Sequence, residues 1–252
     1  MVVKSPPSTA LYCYGVTWAE SGAPQRCKGL GGRSVQPVRL GELAALTSEV
    51  PHGKVRARRA DLLSHFEVLG KAFERGTVLP MRFGVAFEDE GALVDDFLRP
   101  RHEELVALLR ELRDRVELRV AAHYREDAIL AEIARENRRV ARLREATQAG
   151  GARPLLLELG ELVAAELRAR TAGDAHAIIE RLRGLALDYD LEEEAIEYQV
   201  LRASFLVERK RVAAFDDAME EYASGQAGRI DFKYVGPLPP HSFVSLTRER
   251  RR

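Results

Sequence analysis

The sequence predicts an α+β protein of two domains, an N-terminal α+β domain over residues 1–113 and a C-terminal modified ferredoxin-like domain over 114–252 with an extended helical insertion. Two observations carry that expectation. Strand-like apolar runs recur through both halves with helix-period stripes between them, and the second half orders as strand, two long helices, strand, helix, strand. That order suits an antiparallel or mixed sheet with helices on one face.

The elements follow in turn. "ALYCYGVTWA" is apolar on both alternating faces, as an interior strand requires, and a polar, glycine-rich loop follows it. "AALTSEVP" reads as a second strand stopped by Pro51. Leu62, Phe66, Leu69 and Phe73 recur at helical spacing, with Gly76 where a helix C-terminus would stand. "TVLPMRFGVAF" alternates and reads as one strand, which Pro80 confines to a sheet edge or a bulge because it lacks an N–H. Leu93, Val94, Phe97 and Leu98 mark a short helix, and Pro100 suits the first turn of the next. In "VELRVAAHY" the pattern sends Val116, Leu118 and Val120 inward and Glu117, Arg119 and His123 outward. Two long helices follow, near Asp127 to Glu145 and Leu155 to Leu185, the second with a break near Gly173. "YQVLRASFLVER", "KRVAAFDDAMEEYAS" and "RIDFKYVG" then read as strand, helix and strand.

At 252 residues and 46% hydrophobic content the chain can bury real cores. Its 39 basic and 39 acidic residues cancel, so no global field draws nucleic acid or an anionic membrane. No apolar run reaches the length of a membrane span, and the N-terminus lacks a signal-peptide core, which points to a cytoplasmic protein without membrane insertion. The two cysteines, Cys13 and Cys27, have neither disulfide-framework nor zinc spacing and read as reduced thiols.

Chemistry-bearing motifs are sparse. The six histidines include no HExxH pair, so no metal site is expected. His65, beside the apolar stripe of its helix, reads as a half-buried residue with one hydrogen bond. "GLGGRS" lacks the lysine and hydroxyl of a phosphate-binding loop, and no nucleophile elbow is present, so neither cofactor nor catalytic residue is assigned. Arg82, between Met81 and Phe83, reads first as the partner of a carboxylate such as Glu49, Glu88 or Asp89, and second as a residue that recognises a partner. In "YVGPLPPHSFVSL", Pro237, Pro239 and Pro240 cannot continue a ladder, so the last strand is expected to end before them. The chain beyond reads as a strap carrying Phe243 that covers a sheet edge, or as a proline-rich segment offered to a partner.

"LYCYGV", "TSEVP", "VLPMRFGVAFEDE", "ASFLVER" and "YVGPLPPHSFV" occur in the order and spacing of the gas vesicle protein family GvpL/GvpF, which the chain resembles over nearly its whole length. Leu238 and His241 depart from the family pattern, which has tryptophan and tyrosine there. The resemblance implies a non-enzymatic accessory protein of gas vesicle assembly, associated with gas vesicles, without a cofactor. Its implied partners are the hydrophobic major shell protein and other accessory gas vesicle proteins, with Arg82, Phe83, Pro237, Pro239, Pro240 and Phe243 as candidate contact residues. It leaves the GvpF and GvpL subtypes undivided. The residues alone leave open an enzyme or an RNA-binding module on a ferredoxin-like sheet.

Overall fold

The computed structural model describes residues 9–24, 26–52, 57–150, 153–192 and 196–244. The chain forms two compact units. One runs up to Glu117 and takes in the chain again from Pro237, and the other is Leu118–Gly236.

In the first unit, β1 (Thr9–Trp18) lies inside an antiparallel sheet. Its continuously apolar sequence fits that place: Tyr12, Cys13, Tyr14 and Val16 are fully buried. The strand β2 (Gln36–Leu40) was not expected, because five residues containing Pro37 and Arg39 give no clear alternation. It pairs with β3 (Leu43–Pro51), which pairs in turn with β1 from Thr9↔Pro51 to Trp18↔Leu43. The helix α1 (Arg59–Phe73) buries His65, Val68, Leu69, Ala72 and Phe73. The expected apolar stripe is thus turned by one position: His65 lies inside and Phe66 is 50% exposed. A buried partner for the imidazole, described below, makes that rotation affordable.

The run expected as one strand is two, β4 (Val78–Pro80) and β5 (Ala86–Phe87), both antiparallel to β1. The helix α2 (Glu90–Ala92) starts at Asp89, whose carboxylate accepts the Ala92 N–H at 2.8 Å. It runs into a π-helical turn, Leu93–Leu98, and the helix α3 (His102–Glu111) follows.

The second sheet begins with β6 (Arg115–Tyr124) and continues through the helices α4 (Glu126–Glu136), α5 (Arg138–Gln148) and α6 (Arg153–Leu182). The strands β7 (Asp188–Leu191) and β8 (Gln199–Glu208), the helix α7 (Val212–Gly225) and β9 (Ile230–Leu238) complete it. Its strand order, β7-β8-β6-β9, is that of a βαββαβ ferredoxin-like sheet with an enlarged first helical segment. Four departures from the sequence pattern are physical. The first long helix is two, because Asn137 leaves helical geometry and its side chain caps α5 by accepting from the N–H groups of Arg139 and Val140. Gly173 does not interrupt α6, since a single glycine costs only about 1 kcal/mol in a helix held by other contacts. The strand β7, four residues all exposed, carries no apolar alternation to read. Finally, β9 runs past Pro237 to Leu238, which its edge position permits because one side of an edge strand needs no donor.

Charge pairing anchors α6. Arg170 reaches Glu132 at 3.3 Å and Glu136 at 2.9 Å, while Arg229 reaches Glu132 at 2.6 Å and Asp174 at 2.8 Å and lies over the Tyr124 ring. The carboxyl of Glu132 is held below the usual range chiefly by its hydrogen bond to Arg229. Beneath this layer, Phe205 of β8 packs against Phe215 of α7 with ring centroids 5.2 Å apart.

Candidate functional site: the clamped bulge of the first unit

Between the pairs Tyr12↔Ala86 and Gly15↔Pro80, β1 passes through two residues while its partner passes through five. The ladder is kept on both sides of this mismatch: the Cys13 N–H donates to Val85 O at 3.0 Å, and the Met81 N–H donates to Tyr14 O at 2.8 Å. Arg82, Phe83 and Gly84 are therefore surplus and stand out as a bulge. Gly84 has φ +95°, a conformation a side chain would resist. The bulge is why the alternating sequence does not make a continuous strand.

Two polar side chains hold it from beneath. The Gly84 N–H donates to the Tyr12 hydroxyl at 3.2 Å, and that hydroxyl lies 2.8 Å from His65 Nδ1. The imidazole ring also donates to the Met81 backbone, and with that proton on Nε2 the tyrosine hydroxyl gives its own proton to Nδ1. Both ends of the bulge are thus tied to one Tyr–His pair. Burial, reinforced by the nearby His241, pushes the His65 pKa down to about 4, so the ring is neutral at neutral pH. Burial likewise pushes the Tyr12 hydroxyl up.

Tyr14 braces the clamp from the side, its ring centroid 4.8 Å from that of Tyr12. Its hydroxyl lies 2.7 Å from Ser48 Oγ and accepts the Leu30 N–H at 2.8 Å. "GLGGRS" thus wraps a tyrosine hydroxyl, and a Cβ on Gly29 would stand 2.0 Å from that oxygen.

The bulge carries two unlike residues. Phe83 is half-buried, its ring 6.0 Å from Tyr12 and 5.7 Å from His65. Arg82 is exposed and, among the described residues, has no ion-pair partner. The expected pairing with Glu49, Glu88 or Asp89 does not form: the bulge takes residue 82 out of the strand, and Asp89 is engaged as the cap of α2.

The strap meets the same cluster. Phe66 stacks edge-on with His241 at 5.6 Å and with His65 at 5.5 Å, so Phe83, His65, Phe66 and His241 form a continuous row of rings. Pro239 and Pro240 are buried, Phe243 is half-buried and Pro237 is exposed. Glu117, expected to face water, is fully buried: its carboxylate accepts the Ser242 N–H at 2.7 Å and the Ser242 hydroxyl at 3.1 Å. A strap serine that supplies two donors is what lets a strand carboxylate lie inside. Sequence reasoning missed Tyr12, Glu117, His241 and Ser242 as parts of one site, since their partners lie far away in sequence. His65 had a local signal, standing three residues after Leu62 and four before Leu69. Among the described residues no group of three or more His, Cys, Asp or Glu could hold a metal ion, and no helix is long and apolar enough to cross a membrane.

The model of the family described as gas vesicle synthesis protein GvpL/GvpF matches residues 10–245. The chain is 38% identical over 241 residues to gas vesicle protein F of Streptomyces sp. (strain CB03234), covering 93% of this chain and 99% of that protein. Gas vesicle protein L of the same strain is 28% identical over 264 residues, covering 94% of each. In fold, the chain is similar to the crystal structure of GvpF from Anabaena sp. PCC7120, with a TM-score of 0.81 at 23% identity over 96% of this chain and all of that one. GvpF from Microcystis aeruginosa follows at a TM-score of 0.75 and 20% identity, covering 94% of this chain and 99% of that one. The chain therefore belongs to the gas vesicle synthesis protein GvpL/GvpF family and has an accessory role in the formation of gas vesicles.

Proposed function

We propose that the chain acts by non-covalent binding alone, as a cytoplasmic assembly factor that associates with gas vesicles. Its clients are the hydrophobic major shell protein and, alongside it, other accessory gas vesicle proteins. The observation that carries this reading is Arg82, an exposed guanidinium without an ion-pair partner among the described residues, on a bulge whose ends are fixed from below. A fork of donors held on a rigid loop suits a carboxylate or a row of carbonyl oxygens at the end of a client segment. Phe83 lies beside it as an apolar neighbour. Pro237 and Phe243 contribute contact from the strap, and the buried Pro239 and Pro240 hold that strap in place.

A subunit that builds a gas-facing apolar wall is prone to aggregate before assembly, and a soluble factor that covers its apolar surface or strand edge keeps it available. The test is genetic: deleting this chain from a reconstituted set of gas vesicle genes abolishes or malforms vesicles, and supplying it again restores them. Normal vesicles in its absence contradict the reading.

A further inference from the structure

The outer edge of the second sheet is built for an additional strand. The Glu192 N–H donates to Arg202 O at 3.0 Å, in the register that pairs Asp190 with Ser204 and Asp188 with Leu206. In an antiparallel ladder, residues of that parity turn their backbone groups toward β8, so Tyr189 and Leu191 turn theirs outward. The Tyr189 N–H is met there by the carboxylate of Asp188 at 2.8 Å, a side-chain guard on an open edge. Tyr189 and Leu191 are 40% and 48% exposed. Their side chains border a groove of about 690 Å³ lined across the way by Leu167, Ala172, Ala175 and Ile179 of α6. Asp188 and Asp190 alternate onto the opposite face. The stretch "DYDLEEEAIE" from 188 to 197 holds six acidic residues and no basic one.

We propose that this edge accepts an extended segment of a partner protein in which apolar residues alternate with lysine or arginine. Strand addition supplies the segment's backbone bonds through Tyr189 and Leu191. Its apolar side chains enter the groove, and its cations fall beside Asp188 and Asp190 and draw the guarding carboxylate off the Tyr189 N–H. A second copy of this chain fits poorly, because two such edges would set the acidic rows side by side. This edge belongs to the second unit and shares no residue with the Arg82 bulge of the first.

The test measures binding of the full chain to a labelled peptide of roughly eight residues alternating valine and lysine, against its valine–glutamate counterpart. The lysine peptide binds at least tenfold more tightly, and added salt weakens it. Leu191→Pro removes an outward N–H, which an edge strand tolerates, together with a side chain that borders the groove, and reduces binding at least tenfold with an unchanged circular dichroism spectrum. Asp190→Lys, which leaves the backbone intact, does the same, whereas Arg82→Ala leaves peptide binding unaltered and so separates this surface from the bulge. Equal binding of both peptides, no binding, or binding that survives Asp190→Lys overturns the proposal. So does a dimer in sedimentation that Leu191→Pro dissolves, which would give the edge to a second copy.

Discussion

Tyr12 and His65, 53 positions apart, share a buried 2.8 Å hydrogen bond, and through it one tyrosine and one histidine hold both ends of the Met81–Gly84 bulge. The strand supplies the hydroxyl, the helix supplies the imidazole, and the loop between the two edge strands supplies the backbone groups they satisfy.

Tyr12→Phe keeps the ring contacts and removes the hydroxyl. It leaves the Gly84 N–H and His65 Nδ1 without their partner, and a loss of about 1–3 kcal/mol is expected in chemical denaturation. A variant as stable as the parent would mean that the clamp contributes nothing to the fold.

The same pair predicts a pH dependence. His65 is neutral in the fold with its pKa pushed from 6.5 down to about 4, so between those values the unfolded chain holds a proton that the folded chain lacks. Stability therefore falls as pH drops from about 6.5 toward 4, by up to about 3 kcal/mol, and this contribution is flat outside that window. His65→Gln abolishes that component, so the difference between the two stability curves measures it. Parallel curves across the window would show that the histidine is not buried neutral.

Two glycines give opposite signs. Gly29→Ala drives a Cβ to 2.0 Å from the Tyr14 hydroxyl and forces the tyrosine out of its bonds with Ser48 and Leu30, so a cost above about 2 kcal/mol is expected. Gly70→Ala, inside α1 with nothing within 4 Å of the new methyl, is expected to stabilise by about 0.4–1 kcal/mol. Thermal melts of the two variants check both directions.

Glu117 predicts the behaviour of the strap. Glu117→Ala removes the two carboxylate oxygens that Ser242 donates to, so the Ser242 amide is expected to exchange with deuterium faster than in the parent. Truncation after Gly236 deletes the buried Pro239 and Pro240 and lowers the melting temperature. An unchanged exchange rate at Ser242 would place the strap's anchor elsewhere.

The sequence made the layout legible wherever one face of an element is apolar. The interior strand β1, the long α6 and the strand–helix–strand order of β8, α7 and β9 follow from periodicity, and the edge position of Pro80 follows from its missing N–H. It misled where a polar contact overrides the pattern. Glu117 alternates outward in sequence but lies inside because Ser242, 125 positions away, meets it. His65 displaces Phe66 from the core because Tyr12 accepts its company. The bulge hides behind perfect alternation, since Arg82 and Gly84 are polar or small in either arrangement and only Gly84's positive φ betrays it. The acidic edge strand β7 carries no core-facing pattern at all.

The proposal that an exposed, clamped Arg82 recognises the client is tested most directly by the solubility of the major shell protein coexpressed with this chain. Wild-type chain is expected to carry shell protein into the soluble fraction and to copurify with it. Arg82→Ala, with an unchanged melting temperature, is expected to lose at least about tenfold of that complex, as for truncation of a central interface arginine. A folded Arg82→Ala chain that retains the shell protein as well as the parent does would contradict the account.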